Sequence, residues 1–242
     1  MNILSNAPNL DLGKELSEIE NRMLNRINTI ETRRQRNIDF ITISSMKELS
    51  DKDIHSDKPI DEDWINRFFL NARDISDEHM QYVWGKILAG EIINPGSFSL
   101  RSIETIKNMN YIEAKVFQGL VQYAINVGEC GYIIRSRKFL KSFPQGDYRI
   151  WMMKGINLIH EGILTTTFHF DNTQTLTFSY GSCSCDVSGE IGKDTLTLDT
   201  HSLTQVGSEL AKLIDVTPDV EHFENVCKEI ESHGFMVKSK YK

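Results

Sequence analysis

The sequence predicts a mainly α protein with a C-terminal α+β part. Three observations carry that expectation. Apolar residues recur at threes and fours through most of the first 127 positions, which is the helical period. The stretch Pro59–Asn108 packs two of the three tryptophans, several helix-boundary signals and a Pro-Gly turn into fifty residues. Beyond residue 131 the chain turns to short Thr- and aromatic-rich runs, which read as strands. The expected organisation is an N-terminal helical arm over 1–50, a helical core over 59–130 and a winged-helix-like α+β domain over 131–242.

The arm follows ten polar residues without a period. From Asp11 to about Ile43 its apolar positions are Leu12, Leu16, Ile19, Met23, Ile27 and Ile30, close to a heptad seam. A seam this narrow cannot bury itself in an isolated helix and needs a partner. Packing on its own domain is one solution. Self-association through Leu12, Leu16, Ile19, Met23 and Ile30 is the other. Residues 47–59, KELSDKDIHSDKP, are charged and end in proline, so they read as a linker.

In the core, Asp61 to Asn71 carries Trp64, Ile65, Phe68 and Phe69 on one side of a helix. Ser76 is placed to cap the next helix, with Asp77 and Glu78 in the first turn where the helix dipole favours negative charge. Met80, Val83, Trp84, Ile87 and Leu88 make its apolar face, Gly90 can end it, and Pro95 forbids its continuation. Another helix starts at Ser99. Asn110 and Glu113 have capping-box spacing before a helix expected to run on through Ile125.

The segment ISDEHMQYVWGKILAGEIINPGSFSLR resembles an uncharacterised bacterial family known only as a domain of unknown function. The shared pattern is ISDE-x-M-Q-x-x-W-x-x-I-L-A-G-E followed by PGSFS-x-R, and with its flanks it covers roughly a seventh of the chain. The chain is also distantly similar to the Abi-alpha abortive-infection proteins, and that likeness implies a setting in defence against phage. The resemblance brings no chemistry and no site residues.

In the C-terminal part, Asp147 can cap a helix bearing Ile150, Met153 and Ile156. Thr165–Phe170 and Thr175–Tyr180 then read as a hairpin turning at Asp171-Asn172, the presumed wing. Leu196 and Leu198 alternate as a third strand. The sequence LTQVGSEL encodes a strand end, an N-cap at Thr204 and close packing at Gly207. A last helix from Thr217 stops at Gly234, before a short strand at Phe235–Val237.

Composition narrows function. Of 242 residues 40% are hydrophobic and 25% charged, and no apolar run approaches the roughly 18–20 residues that span a bilayer. The N-terminus lacks the basic and apolar regions of a signal peptide. Four irregularly spaced cysteines fit a reducing cytoplasm. A net charge of −7 argues against a general nucleic-acid coat, although Arg135, Arg137, Lys138 and Lys141, interleaved with Phe139 and Phe143, are dense enough for phosphate contacts. The other reading of that cluster is a solvated helix face above two core phenylalanines. Arg33, Arg34 and Arg36 form a second cluster, which acidic neighbours can neutralise equally well.

Cys183-x-Cys185 has the wrong spacing for a zinc pair, and His169 and His201 would have to join it by the fold. Asp74, Glu78, His79 and Glu91 gather near the motif, but dipole and solvation at a helix start explain Glu78 and His79, with Asp77 beside them. Nucleophile-elbow, phosphate-loop and zincin motifs are all missing. No cofactor, no metal and no catalytic residue is therefore expected. The leading expectation is a cytoplasmic, non-enzymatic interaction or effector subunit of an antiphage system, a homo-oligomer or the partner of another defence protein. A winged-helix nucleic-acid-binding protein is the alternative, and a metal-dependent nuclease the third.

Overall fold

A computed structural model of the chain describes residues 12–50, 52, 58–143, 147–162, 165–170, 175–189 and 195–240, with side chains from residue 15. In order, the elements are α1 (Leu12–Leu49), α2 (Glu62–Ala72), α3 (Glu78–Ile93), α4 (Leu100–Asn108), α5 (Tyr111–Val121), β1 (Ala124–Val127) and β2 (Cys130–Ile134). Then come α6 (Arg137–Ser142), α7 (Tyr148–Gly155), β3 (Thr165–His169), β4 (Thr175–Tyr180), β5 (Cys183–Ser188), β6 (Thr195–Ser202), α8 (Gln205–Ala211), α9 (Val220–Ser232) and β7 (Met236–Lys240). The chain is thus mixed α+β, with a long N-terminal helix and a C-terminal antiparallel sheet. It divides into two compact units, Met1–Lys52 with Phe68–Ala89, and Asp53–Arg67 with Gly90–Lys242.

In the first unit the second half of α1 packs against the segment Phe68–Ala89. Ile41 is fully buried, and Phe68 and Trp84 meet with ring centroids 5.2 Å apart. A Cβ built on Gly85 would lie 2.5 Å from Ser44 Cβ, so this glycine permits the close crossing of α1 and α3. The buried Asn37 amide donates to Arg73 O at 2.8 Å and accepts from Gln81 Nε2 at 3.1 Å. Arg34 adds a two-pronged contact to Asp74. Asp77, and not Ser76, caps α3: its Oδ1 accepts from Met80 N. Ser76 instead accepts a hydrogen bond from Asn37.

In the second unit the PGSFS segment is held from both sides. Glu91, 1% exposed, accepts Gly96 N–H at 2.6 Å and Phe98 N–H at 3.1 Å. Trp64 Nε1 donates to Phe98 O at 2.7 Å, and the Phe98 ring covers Gly90, where a Cβ would sit 2.7 Å from it. Gly90 therefore serves packing and does not end α3, which runs on to Ile93. Gly96 takes φ +95°, as its turn demands. The expected capping box at Asn110 and Glu113 is formed. Its helix stops at Val121, and Ala124–Val127, expected as helix, is a strand.

Among the described residues seven strands join one sheet in the order β3-β6-β2-β1-β4-β5-β7. The predicted β3–β4 hairpin is not formed. β3 pairs with the first half of β6, Thr165 opposite Asp199, while β4 lies between β1 and β5. Asp171 and Asn172, the expected hairpin turn, lie outside the described residues, as do residues 1–10 and, within the expected linker, 51 and 53–57. The wing that those two strands would have made is therefore replaced by a large sheet.

That sheet is strongly curved. β6 pairs through Thr195–Asp199 with β3 but through Thr200–Ser202 with β2, so it turns a corner between partners. A flat sheet would hold β3 and β4 about 19 Å apart, four strand spacings. Yet the rings of Phe168 and Phe178 are centred 5.2 Å apart. Phe170, just past β3, likewise meets Phe235, just before β7, at 5.0 Å, so the two edges of the sheet approach each other across the core. Phe223, Val226, Cys227 and Ile230 of α9 fill the interior with Tyr180, Cys185, Val187, Leu196 and Leu198.

Candidate interaction surfaces

α1 has 38 residues and so spans about 57 Å at 1.5 Å per residue. Its two halves differ in burial. From Ile30 onward Asn37, Ile41 and Ser45 are buried at intervals of four, the face that packs within its own unit. Over residues 15–29 every position is exposed. Leu16, Ile19, Met23, Leu24 and Ile27 each keep between 44% and 59% of their surface open. Ile30 is half-buried at the junction of the two halves, and the side chain of Leu12 lies outside the described residues. Of the five expected seam residues, then, Leu16, Ile19 and Met23 share one open face, which Leu24 and Ile27 widen.

The basic cluster is dispersed by its own chain. Arg135 Nη1 lies 3.8 Å from Asp199 Oδ2, with only 14% of its side chain exposed. Lys138, on α6, is held between Asp219 Oδ2 at 2.6 Å and Glu221 Oε2 at 2.8 Å. These carboxylates raise the Lys138 pKa, and the same contact holds the Asp219 carboxyl below its ordinary value. Arg137 and Lys141 remain exposed. Phe139 and Phe143 are in the core, their rings stacked at 5.2 Å. On the arm, Arg33 and Arg34 are paired with Asp74.

Cys183 and Cys185 are two apart on β5 and so share its inward face, both buried in the sheet core. Their neighbour there is Cys227 of α9, whose Sγ lies 3.6 Å from Ser239 Oγ, and Ser239 is the β7 partner of Cys185. His169 is exposed on β3 and does not join them. Among the described residues no group of three or more His, Cys, Asp or Glu side chains is arranged to hold a metal ion.

Two polar features escaped the sequence reading. His222 is fully buried, with Nδ1 3.1 Å from Ser136 Oγ and Nε2 3.2 Å from Tyr123 O, and so ties α9 to the start of α6. Its pKa is lowered, first by burial. Between the β1–β2 turn, β4 and α8 lies an open recess of about 400 Å³ with Asn126, Ser179, Ser208 and Asp215 in its lining. Lys212 and Glu129 form an ion pair of 2.7 Å in the same lining. Single polar residues scattered over several elements carry no period, so nothing in the sequence marks either feature.

Residues 21–227 match the family model described as "Protein of unknown function (DUF2806)". The chain belongs to this family. No curated protein and no solved structure matches it. The DUF2806 region takes in the PGSFS segment with the Glu91 carboxylate that holds it, and all described strands but β7. It begins inside α1, so Met23, Leu24, Ile27 and Ile30 lie within it, while Leu16 and Ile19 precede it. Among the described residues no helix is long and apolar enough to cross a membrane.

Proposed function

We propose that the chain is a non-enzymatic interaction subunit that assembles through the first half of α1, in a cytoplasmic antiphage system of the abortive-infection kind. One observation carries the assembly part. Five large apolar side chains stand open on a single stretch of helix, residues 16–27. Leaving such a stripe in water forgoes about 25 cal/mol for every Å² of apolar surface that a partner helix would cover. Contiguous apolar surface of this kind marks interaction sites on soluble proteins. The defence setting rests on the distant likeness to Abi-alpha proteins.

The test is light scattering over a range of concentrations on the full chain and on a triple variant, Leu16→Ser, Ile19→Ser and Met23→Ser. The wild type should contain more than one copy and the variant one. All three side chains are exposed, so the fold should survive the changes. A wild type that stays monomeric throughout defeats the reading. For the setting, a host carrying the gene should resist phage, and the triple variant should lose that protection. The winged-helix, nucleic-acid-binding alternative would draw on Arg135, Arg137, Lys138 and Lys141. The ion pairs that already occupy Arg135 and Lys138 favour the assembly reading over it.

A further inference from the structure

The order of charges along the open half of α1 fixes how two arms can meet. The seam residues set the heptad. Leu16, Met23 and Ile30 fall at a, and Ile19 and Arg26 at d. Glu15 and Arg22 then take the flanking g positions, and Glu20 and Ile27 the e positions. All of these except Ile30 are exposed. Among the described residues no carboxylate lies within ion-pair distance of Arg26, and Arg22 meets Glu18 of its own helix only at 4.0 Å.

A parallel, in-register pair would be poor. It would set Arg26 against Arg26 of the second copy in the seam itself, and Glu15 of one helix against Glu20 of the other across the g–e flank. Reversing one helix removes both conflicts. With Leu16 opposite Ile19 of the second copy, and by symmetry Ile19 opposite Leu16, the g positions face each other. Glu15 then meets Arg22 of the second copy on each side of the two-fold axis. Arg26 no longer faces Arg26 of the second copy. Apart from Lys14, which falls at the outer f position, this stretch carries acidic residues first, at Glu15, Glu18 and Glu20, and basic ones after them, at Arg22 and Arg26. That order is self-complementary only when the strands of charge run in opposite directions.

We infer that the occupant of the open seam is the same seam of a second copy, paired antiparallel about Leu16 and Ile19 and flanked by two Glu15–Arg22 contacts. This rests on the assembly reading above and adds its partner and direction. Dilution-series sedimentation on the full chain separates the two claims. Glu15→Arg and Arg22→Glu should each weaken association about tenfold, two exposed pairs turning repulsive at once. The double variant should restore it to within about twofold. Arg26→Leu should change it little. If Glu15→Arg and Arg26→Leu instead tighten the dimer, the helices run parallel and the inference fails while the assembly reading stands. A dimer indifferent to all four variants also overturns it. A wild type that never associates removes both.

Discussion

The carboxylate of Glu209 accepts the backbone N–H of Ser99 at 2.7 Å. The same oxygen accepts the Ser102 hydroxyl at 2.6 Å, and the other accepts from Gln205 at 2.9 Å. A side chain on α8 thus completes the N-terminus of α4, whose cap is Ser99. Ser102 is fully buried and Glu209 only 8% exposed, so water cannot replace the contact. Glu209→Ala strands donors on both α4 residues, and should cost about 3 kcal/mol in urea unfolding. Ser102→Ala removes one donor but leaves the same Glu209 oxygen its hydrogen bond from Ser99 N–H, and should cost about 1 kcal/mol. Equal midpoints for Glu209→Ala and wild type would show that the clamp carries no stability.

Two glycines should respond to substitution for different reasons. A Cβ on Gly207 would stand 2.1 Å from Leu158 O, a backbone atom that cannot swing aside. Gly207→Ala should therefore destabilise by about 2–3 kcal/mol or more, as overpacking does. Gly96 is uncrowded, with Lys58 Nζ the nearest atom at 3.7 Å, but its φ is +95°. Gly96→Val should cost about 1 kcal/mol or more from backbone conformation alone. Thermal melts of the two variants should rank Gly207→Ala as the more damaged.

The contrast between these sites shows what was legible in the sequence. Local signals read well: the caps at Ser99, Asn110, Asp147 and Thr204, the tight packing at Gly207 and the alternation around Leu196 all depend on a few adjacent residues. Ala124–Val127 did not, because four residues, Ala-Ile-Asn-Val, are too few to fix a period, and they follow a helix whose apolar spacing Ala124 and Ile125 continue. β5, CSCDVS, has little strand propensity, and its pair of cysteines drew attention to metal instead. The partner of β3 was illegible because it lies some thirty residues away, across β4 and β5, while a local hairpin was the nearer solution. At the candidate interface the seam was readable as a period. Whether it was open or buried depended on how far α1 packs on its own unit, and no period reports that.

Acid should weaken the fold through His201. Burial, with Lys154 and Arg135 adding to it, lowers its pKa to about 4 from an ordinary 6.5. The unfolded chain therefore binds this proton more readily than the folded one between those values. Stability from this group is intact above about pH 6.5 and is lost as pH falls toward 4. His222, also lowered by burial, acts in the same direction. Urea midpoints taken from pH 7.5 to 4 should decline, and His201→Gln should flatten part of that decline. An identical slope in the variant would assign the acid sensitivity to other groups.

The four thiols should divide cleanly in reactivity. Cys130 is exposed at the start of β2, whereas Cys183, Cys185 and Cys227 are buried in the sheet core. A soluble aromatic disulfide reagent should label one cysteine rapidly in the native protein and the other three only on unfolding. Cys130→Ser should abolish the fast phase. Rapid labelling of two or more sites would mean that α9 lifts from the sheet under native conditions.

Nucleic acid gives the sharpest separation between the two leading functional classes. Phosphate affinity comes from clustered cations that release counterions on binding. Of the four residues dense enough to supply it, Arg135 is largely covered beside Asp199, and Lys138 sits between two carboxylates. Only Arg137 and Lys141 of the four are exposed, on a chain whose net charge is −7. The acidic neighbours Asp219 and Glu221 belong to the same surface and would repel an approaching duplex. Fluorescence anisotropy with the purified chain should therefore show no duplex binding tighter than about 10⁻⁶ M near physiological salt, the non-specific regime. Replacing Arg137 and Lys141 by Gln should leave stability unchanged and abolish whatever weak binding remains. Tight binding that falls steeply with salt, and disappears in that double variant, would place nucleic-acid recognition ahead of self-assembly.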